Sequence, residues 1–468
     1  MSTMMEVDAA LIGTGQAAPA LAIALAGRGE KIALVEGALV GGSCVNVGCT
    51  PTKTLRKSAR VAYLARHAAE FGIRVGSVEV DFAAAMERMQ SGVDTARAGL
   101  EQWIAGEPNV TLLRGWGAFA GKSEDGLGFD LTVGEQRVRA RRVYLNTGTS
   151  PFVPPIPGIE DVPHLDNASV LKLRTLPAHL VVLGGSYIGL EMGQIFRRLG
   201  SEVTVIESAA RIIAREDADI SAAITAMLVQ EGVTVLVGKP VERIARSGDG
   251  VAVQLAGLRV EGSHLLVATG RVPNTARLRL DAVGVKSDDR GFVPVNGRLE
   301  TNVPGVWALG DINLRGAFTH TSYQDHEIVL ANHLGSADPQ GGGTRSADGR
   351  VSTYAMFTDP PLGRVGLSEA EARESGRRMR MVNWPMSRVS RAIEEGETTG
   401  LIKLLVDAQD ERIVGAAVLG VNGDEVVQVI SNFMATGAHY RVLAQALPIH
   451  PTVGEFLPFL LGKLQPLP

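Results

Sequence analysis

Cys44 and Cys49 are the only cysteines among 468 residues. They share one stretch, Gly41-Gly42-Ser43-Cys44-Val45-Asn46-Val47-Gly48-Cys49-Thr50-Pro51-Thr52-Lys53. Two thiols this close in sequence close only a small loop, whereas a structural staple gains most by joining distant segments. The pair therefore reads as redox chemistry, opened and remade by thiolate exchange. Pro51 suits the first turn of a helix, and Thr54 to Arg66 continues it. Both sulfurs are expected at or near a helix N-terminus, where the dipole favours thiolate. Lys53, about one turn past Cys49, adds positive charge. A zinc half-site is the competing reading of the cysteines, but no further cysteine exists to complete a thiolate-rich cage, so no metal is expected. A solvated helix face is the competing reading of Lys53.

The chain also holds two candidate nucleotide-binding units. The first is an apolar strand, Val7 to Ile12, followed by Gly13-Thr14-Gly15-Gln16-Ala17-Ala18, a helix to Ala26, and a strand Lys31 to Val35 ending at Glu36. The second is Leu180 to Leu183, followed by Gly184-Gly185-Ser186-Tyr187-Ile188-Gly189, a helix to Leu199, and a strand Val203 to Ile206 ending at Glu207. The interval from Gly13 to Glu36 equals that from Gly184 to Glu207. This is the dinucleotide fingerprint twice: glycines let the backbone approach a pyrophosphate at a helix N-terminus, and the acid accepts ribose hydroxyls. The competing reading is tight strand-to-helix packing alone. Ala18 stands in the third glycine position of the first unit, a tolerated variant. Ser186 stands in the middle glycine position of the second, where a Cβ is expected to crowd the pyrophosphate. Glu207 repels a 2′-phosphate and favours NADH over NADPH, while Arg211 and Arg215 soften that preference.

Formal net charge is −4, so no polyanion-binding surface is implied. The apolar run Ala9 to Ala26 is preceded by Glu6 and Asp8 and interrupted by Gly13 and Gly15, unlike a signal peptide or a membrane span. A cytoplasmic protein is expected. Neither nucleic acid nor membrane is an expected partner.

With these residues assembled, the chain resembles the flavoprotein disulfide reductases, the class I pyridine nucleotide-disulfide oxidoreductases that include dihydrolipoamide dehydrogenase, glutathione reductase and mercuric reductase. Gly42 to Lys53 resembles the family's redox-disulfide helix. Thr147-Gly148-Thr149, preceded by Asn146 in place of Ala, and Ala268-Thr269-Gly270-Arg271 resemble its two domain-crossing motifs. Ala308-Leu309-Gly310-Asp311 resembles its second FAD signature, whose Asp holds the ribityl chain. His450-Pro451-Thr452-Val453-Gly454-Glu455 resembles its interface motif, which supplies an acid/base His and its Glu. Taken alone, Thr452 and Glu455 also fit a helix capping box.

The resemblance implies an α/β fold: two Rossmann-like FAD- and NAD(P)-binding domains plus a C-terminal α+β dimerisation domain. It implies FAD on Gly13, Gly15, Glu36, Gly42, Ser43, Lys53, Gly117, Thr147, Gly148, Asp311, Ala317 and His320. It implies NADH or NADPH on Gly184, Ser186, Tyr187, Ile188, Gly189, Glu207, Gly270 and Arg271. Cys49 becomes the flavin-proximal sulfur and Cys44 the interchange thiol. Tyr187 becomes an aromatic gate over the flavin, and Glu191 the acid that pairs with Lys53. His450 and Glu455 act across a homodimer whose two sites are shared.

Pro154-Pro155-Ile156-Pro157-Gly158 and Thr358-Asp359-Pro360-Pro361-Leu362-Gly363-Arg364-Val365-Gly366 resemble the branch of mercuric-reductase-like proteins and the reactive-chlorine-resistance flavoprotein. The sequence ends without the second cysteine pair that delivers mercuric ion, and it lacks a metal-carrier domain. A small disulfide or a soft metal ion remains the expected acceptor. Dihydrolipoamide dehydrogenase, a flavin-containing redox sensor and an NADH oxidase or transhydrogenase stay open as alternatives. The expected domains are residues 1–150 (FAD, first part, with a helical excursion from Phe82 to Ile104), 151–270 (NAD(P)H), 271–345 (FAD, second part) and 350–468 (interface). A Gly/Ser/Asp-rich linker is expected over Gly335 to Gly349.

Overall fold

The computed structural model describes residues 4–335 and 344–467. Most of the expected linker therefore lies outside the described residues. The chain divides into two compact units: Met1–Thr54 with Met86–Phe152 and Gly270–Arg350, and Leu55–Ala85 with Val153–Thr269 and Val351–Pro468.

The first unit is built on a seven-stranded sheet. Met5–Ile12 sits between Ile32–Glu36 and Gln136–Leu145, parallel to both; Val110–Arg114 extends one side, and Val306–Ala308 also pairs with Gln136–Leu145. Phe129–Val133 and Gly117–Lys122 complete it as an antiparallel meander. Strand residues alternate between faces. Ala9 and Leu11 join Leu21, Leu25 and Leu34 in a core under the helix Ala18–Ala26, and Ala10 and Ile12 join Val35, Phe119 and Leu145 in a second core on the other face. Burial on both faces explains why the strand reads as a continuous apolar run. Register then fixes the functional edge. Ile12 is level with both Val35 and Leu145, so Gly13, Glu36 and Asn146 leave the sheet side by side at its carboxyl end. That edge is where open α/β sheets take ligands.

The second unit repeats the device in a four-stranded parallel sheet, where Leu183 is level with Ile206 and Val267. Gly184, Glu207 and Ala268 therefore emerge together. A three-stranded antiparallel sheet spans Val241–Gly262. A six-stranded sheet runs in the order Thr353–Met356, Leu362–Gly366, Ile413–Leu419, Leu401–Asp407, Met379–Pro385 and Gln465–Pro466. The helices Gly423–Ala435, Tyr440–Ala444 and Phe456–Leu461 contribute residues to its core. Among the described residues, no helix is long and apolar enough to cross a membrane.

Local chemistry moves several helix boundaries. The redox helix begins at Cys49 and runs to His67, so Pro51 sits in its first turn. The excursion helix is Phe82–Ala105. Pro458 falls in the first turn of Phe456–Leu461, where a missing N–H costs nothing.

Candidate active site

The two glycine turns are the same object built twice. Gly13 and Gly184 have φ of +97° and +108°, and a Cβ on either would lie 2.4 Å from a carbonyl oxygen, that of Asn146 or of Ala268. Only glycine fits such a backbone. Glu36 accepts the N–H groups of Thr14 and Ala38 at 3.0 and 2.7 Å; Glu207 accepts those of Gly185 and Ala209, both at 2.8 Å. Each acid thus holds its own turn while standing at the carboxyl edge of its sheet. Gly189 is the third residue of the helix Tyr187–Leu199, just after Ile188, and its Cβ would strike the Gly184 carbonyl at 2.0 Å.

Within the protein itself, the two turns differ in the room they leave at the middle position. In the first unit, a Cβ on Gly15 would lie 2.7 Å from Oδ1 of Asn146. That amide is committed on both sides: Oδ1 accepts the Ala18 N–H at 3.2 Å, and Nδ2 donates to the Leu309 carbonyl at 2.8 Å. The counterpart of Asn146 in the second unit is Ala268, which has no amide to collide with. Ser186 adopts extended φ, ψ of −109° and −171° and opens the helix Tyr187–Leu199 as its N-cap residue. The two departures from the fingerprint, Asn146 and Ser186, are therefore matched to their neighbours in size.

The cysteine segment is fastened to the first turn. A Cβ on Gly42 (φ +59°) would lie 3.1 Å from the Gly15 Cα, and the Gly41 N–H donates to the Thr14 hydroxyl at 3.1 Å. Cys44 lies in the short helix Gly42–Val47, beside the exposed Ser43. Gly48 lets the chain turn tightly, since its Cβ would sit 2.8 Å from the Ser43 carbonyl. Cys49 then opens the redox helix. Asn46 braces the loop by donating to the Val40 and Gly42 carbonyls at 2.9 and 3.0 Å, and Arg97 of the excursion helix donates to its Oδ1 at 3.0 Å.

Both cysteines are free thiols, and their side chains hydrogen-bond to each other. The Cys49 sulfur lies 3.1 Å from the Thr319 hydroxyl. The hydrogen bond to Cys49, burial and the charge on Cys49 together drive the Cys44 thiol far above its ordinary range; the Thr319 hydroxyl opposes them. Cys44 lies in the short helix, and Cys49 opens the long redox helix that follows it. Lys53 lies one turn along the same helix, half-buried.

Around the crossing motifs, Gly148 (φ +63°) follows Thr147, whose carbonyl and hydroxyl both bond Asn274. Gly270 and Arg271 belong to the first unit, and Arg271–Pro273 pairs with Thr149–Pro151. The Arg271 guanidinium donates to the Thr149 hydroxyl and carbonyl at 2.7 and 2.6 Å; the same hydroxyl donates to Asp311 at 3.2 Å. Burial pushes the Asp311 carboxyl up, against the charge of Arg271 and the hydroxyl of Thr149. Gly117 packs where a Cβ would meet Ile12 and Val35 at 3.1 and 3.2 Å. Ala317 and His320 are exposed at the start of the helix Thr319–Leu334, with the His320 ring stacked on Phe318.

In the second unit, Glu191 is buried and accepts the Phe357 N–H at 2.8 Å. His450 offers Nδ1 to the Glu455 carboxylate at 2.9 and 3.2 Å. The His450 side chain is 73% exposed and that of Glu455 only 12%. The capping box forms in one direction only: Thr452 accepts the Glu455 N–H at 3.1 Å, but the carboxylate is given to His450 instead of returning to Thr452. Arg391 holds the Pro451 carbonyl at 2.6 Å. Thr319, Asn146, Arg97 and Arg391 were missed as site residues, because each acts on a partner far away in the chain.

The residues of the first unit fit a dinucleotide carrying a polar chain: two turn glycines, a helix N-terminus, an acid at the strand end and a half-buried carboxylate at Asp311. Comparison with known proteins agrees. The profile of the pyridine nucleotide-disulphide oxidoreductases matches residues 7–326, and that of their dimerisation domain matches residues 352–458. RclA of Escherichia coli, described as a probable pyridine nucleotide-disulfide oxidoreductase, is 34% identical over 97% of this chain and 98% of its own. A mercuric reductase of Lysinibacillus sphaericus is 32% identical over 96% of this chain and 81% of its own. The solved Cu(II) complex of E. coli RclA, an HOCl-induced flavoprotein disulfide reductase, superposes with a TM-score of 0.87 at 33% identity, covering 98% of this chain and 99% of that one.

Proposed function

This chain belongs to the pyridine nucleotide-disulphide oxidoreductases and is an FAD-dependent enzyme of that family; from that premise we propose that it uses NADH to reduce a small disulfide through Cys44 and Cys49. The observation that carries this reading is the fastening of the cysteine segment to the first glycine turn through Gly42 on Gly15 and Gly41 on Thr14. Gly13, Gly15, Glu36, Thr147, Gly148 and Asp311 are the residues assigned to hold FAD. When bound, FAD supplies the two-electron relay between nicotinamide and the sulfur pair.

The chain's own residues do the thiol chemistry. Thr319 donates to the Cys49 thiolate and keeps that charge in place. Cys44, held protonated, waits for a base. In the shared site, His450 of one copy is that base for Cys44 of the other: Glu455 accepts the Nδ1–H hydrogen bond, which leaves Nε2 to accept a proton. The Cys44 thiolate then attacks the substrate disulfide, and one thiolate leaves and takes the proton from His450. Cys49 attacks Cys44 in the mixed disulfide, the second substrate sulfur leaves as a thiolate and takes a proton from solvent, and the Cys44–Cys49 bond is remade.

The dimerisation domain supports a homodimer, and its own surface supports a site shared across it. Leu447 and Ile449, just before His450, are 97% and 78% exposed, an apolar edge suited to a second copy. NADH is preferred because Glu207 stands at the strand end, while the Arg211 guanidinium is spent on the Ala214 and Glu216 carbonyls. A second reading takes a soft metal ion as acceptor, since the two thiols face each other and thiolates favour such ions. Among the described residues, no group of three or more His, Cys, Asp or Glu is set to hold a resident metal.

Steady-state NADH oxidation with lipoamide, glutathione disulfide, cupric and mercuric ions decides between them. Turnover on a disulfide that Cys44→Ser abolishes supports the first reading; turnover on the ions alone supports the second. Oxidation that survives loss of both cysteines refutes both and leaves an oxidase.

A further inference from the structure

Tyr187 closes the second glycine turn, and its phenol is tied to side chains that the thiol chemistry leaves unused. Its ring meets Tyr354 edge-on, with centroids 5.7 Å apart and planes at 73°. The two phenols also hydrogen-bond. Tyr354 donates its hydroxyl to the Glu216 carboxylate. That carboxylate is buried and gripped by the guanidinium of Arg364, which also reaches Asp217. A phenol has one proton to give. Tyr354 spends it on Glu216, so its oxygen is left to accept from Tyr187.

The far end of this chain is a fixed post. Tyr354 and Arg364 are directly opposed across the antiparallel strands Thr353–Met356 and Leu362–Gly366, so strand register sets both against one acid. Lys403 closes the cluster onto Asp217, Asp219 and Glu369 at 2.8 to 3.1 Å. Moving any one of these groups leaves a buried charge uncompensated, which pins the arrangement. Tyr187 is the first residue of its helix, beside the exposed Ser186.

Resting on the assignment of this turn to the pyridine nucleotide, with Tyr187 as its gate, we infer that Tyr354 is a positioning residue. Its hydroxyl latches Tyr187 over the place the nicotinamide ring must take. The ring enters when the Tyr187–Tyr354 hydrogen bond breaks.

Calorimetric titration of the holoenzyme with NAD+ and with ADP-ribose separates a latch from a scaffold. ADP-ribose carries the adenosine and pyrophosphate but no nicotinamide, so it binds without moving Tyr187. Tyr354→Phe keeps the ring and removes the hydroxyl. Breaking one hydrogen bond before binding corresponds to about three- to tenfold in affinity. NAD+ is expected to bind about three- to tenfold more tightly to Tyr354→Phe, with ADP-ribose unchanged. Tyr187→Phe removes the same bond from its other end and should give the same shift, and the double variant no more than either. Equal changes for both ligands, no change for either, or weaker NAD+ binding overturns the latch. A parent enzyme that binds neither ligand overturns the nucleotide assignment and the latch with it, an outcome distinct from a binding parent that ignores the hydroxyl.

Discussion

Gly15→Ala sets the matched sizes of the first turn against each other. The added Cβ would lie 2.7 Å from Oδ1 of Asn146 and 3.3 Å from its carbonyl oxygen. The amide cannot swing aside without releasing the Ala18 N–H or the Leu309 carbonyl. Overpacking a fixed site costs about 1–3 kcal/mol, and each buried hydrogen bond given up adds about 1 kcal/mol. The single variant is therefore expected to lose about 2–4 kcal/mol. Asn146→Ala leaves two buried backbone groups unpaired and is expected to lose about 1–3 kcal/mol. The double variant recreates the steric arrangement of Ser186 beside Ala268, so the collision vanishes and only the Asn146 loss remains. The two costs should fall short of additivity by about 2–4 kcal/mol, the whole cost of Gly15→Ala. For a cooperative unit of about 200 residues, Gly15→Ala should lower the melting midpoint by about 5–10 °C. Circular dichroism gives the midpoint, and flavin fluorescence gives the temperature of cofactor release. A Gly15→Ala protein that melts with the parent, or a double variant that loses the full sum, would refute the steric reasoning.

Three other outcomes are expected. The raised Cys44 pKa means the folded dithiol holds a proton that the unfolded chain releases near pH 9.0, so the reduced protein should lose stability as pH climbs above that value. Urea midpoints across pH 8 to 10 check this, and Cys44→Ser should flatten the slope. Glu207→Gln removes the charge facing a 2′-phosphate and should raise the kcat/KM ratio of NADPH to NADH by about tenfold; a parent that prefers NADPH contradicts the role given to Glu207. His450→Gln should cut disulfide turnover by about 10²- to 10⁴-fold, with a far smaller effect on reduction of the enzyme by NADH, as stopped-flow traces of the two half-reactions would show.

What was legible in the sequence was whatever a single position must satisfy alone. Gly13 and Gly184 are forced by positive φ and by a carbonyl at 2.4 Å, so their spacing to Glu36 and Glu207 survives as a readable signal. Cys44 and Cys49 are legible because no other cysteine competes with them. What escaped was pairwise. Asn146 reads as a lapse in a motif until its amide is found bridging Ala18 and Leu309. Thr319 meets a sulfur 270 residues away, and Tyr354 meets an acid 138 residues away. No local periodicity encodes such meetings. Glu455 carried two local readings, a helix cap and the partner of His450, and it takes part in both: its N–H goes to Thr452 and its carboxylate to His450.

The central claim is that reducing equivalents reach Cys49 before Cys44. Anaerobic titration of the purified holoenzyme with NADH, followed by absorbance, tests it most directly. The parent and Cys44→Ser should develop a long-wavelength charge-transfer band between the Cys49 thiolate and the ring, and Cys49→Ser should not. A band that persists in Cys49→Ser, or a purified chain that carries no yellow cofactor, would contradict the account.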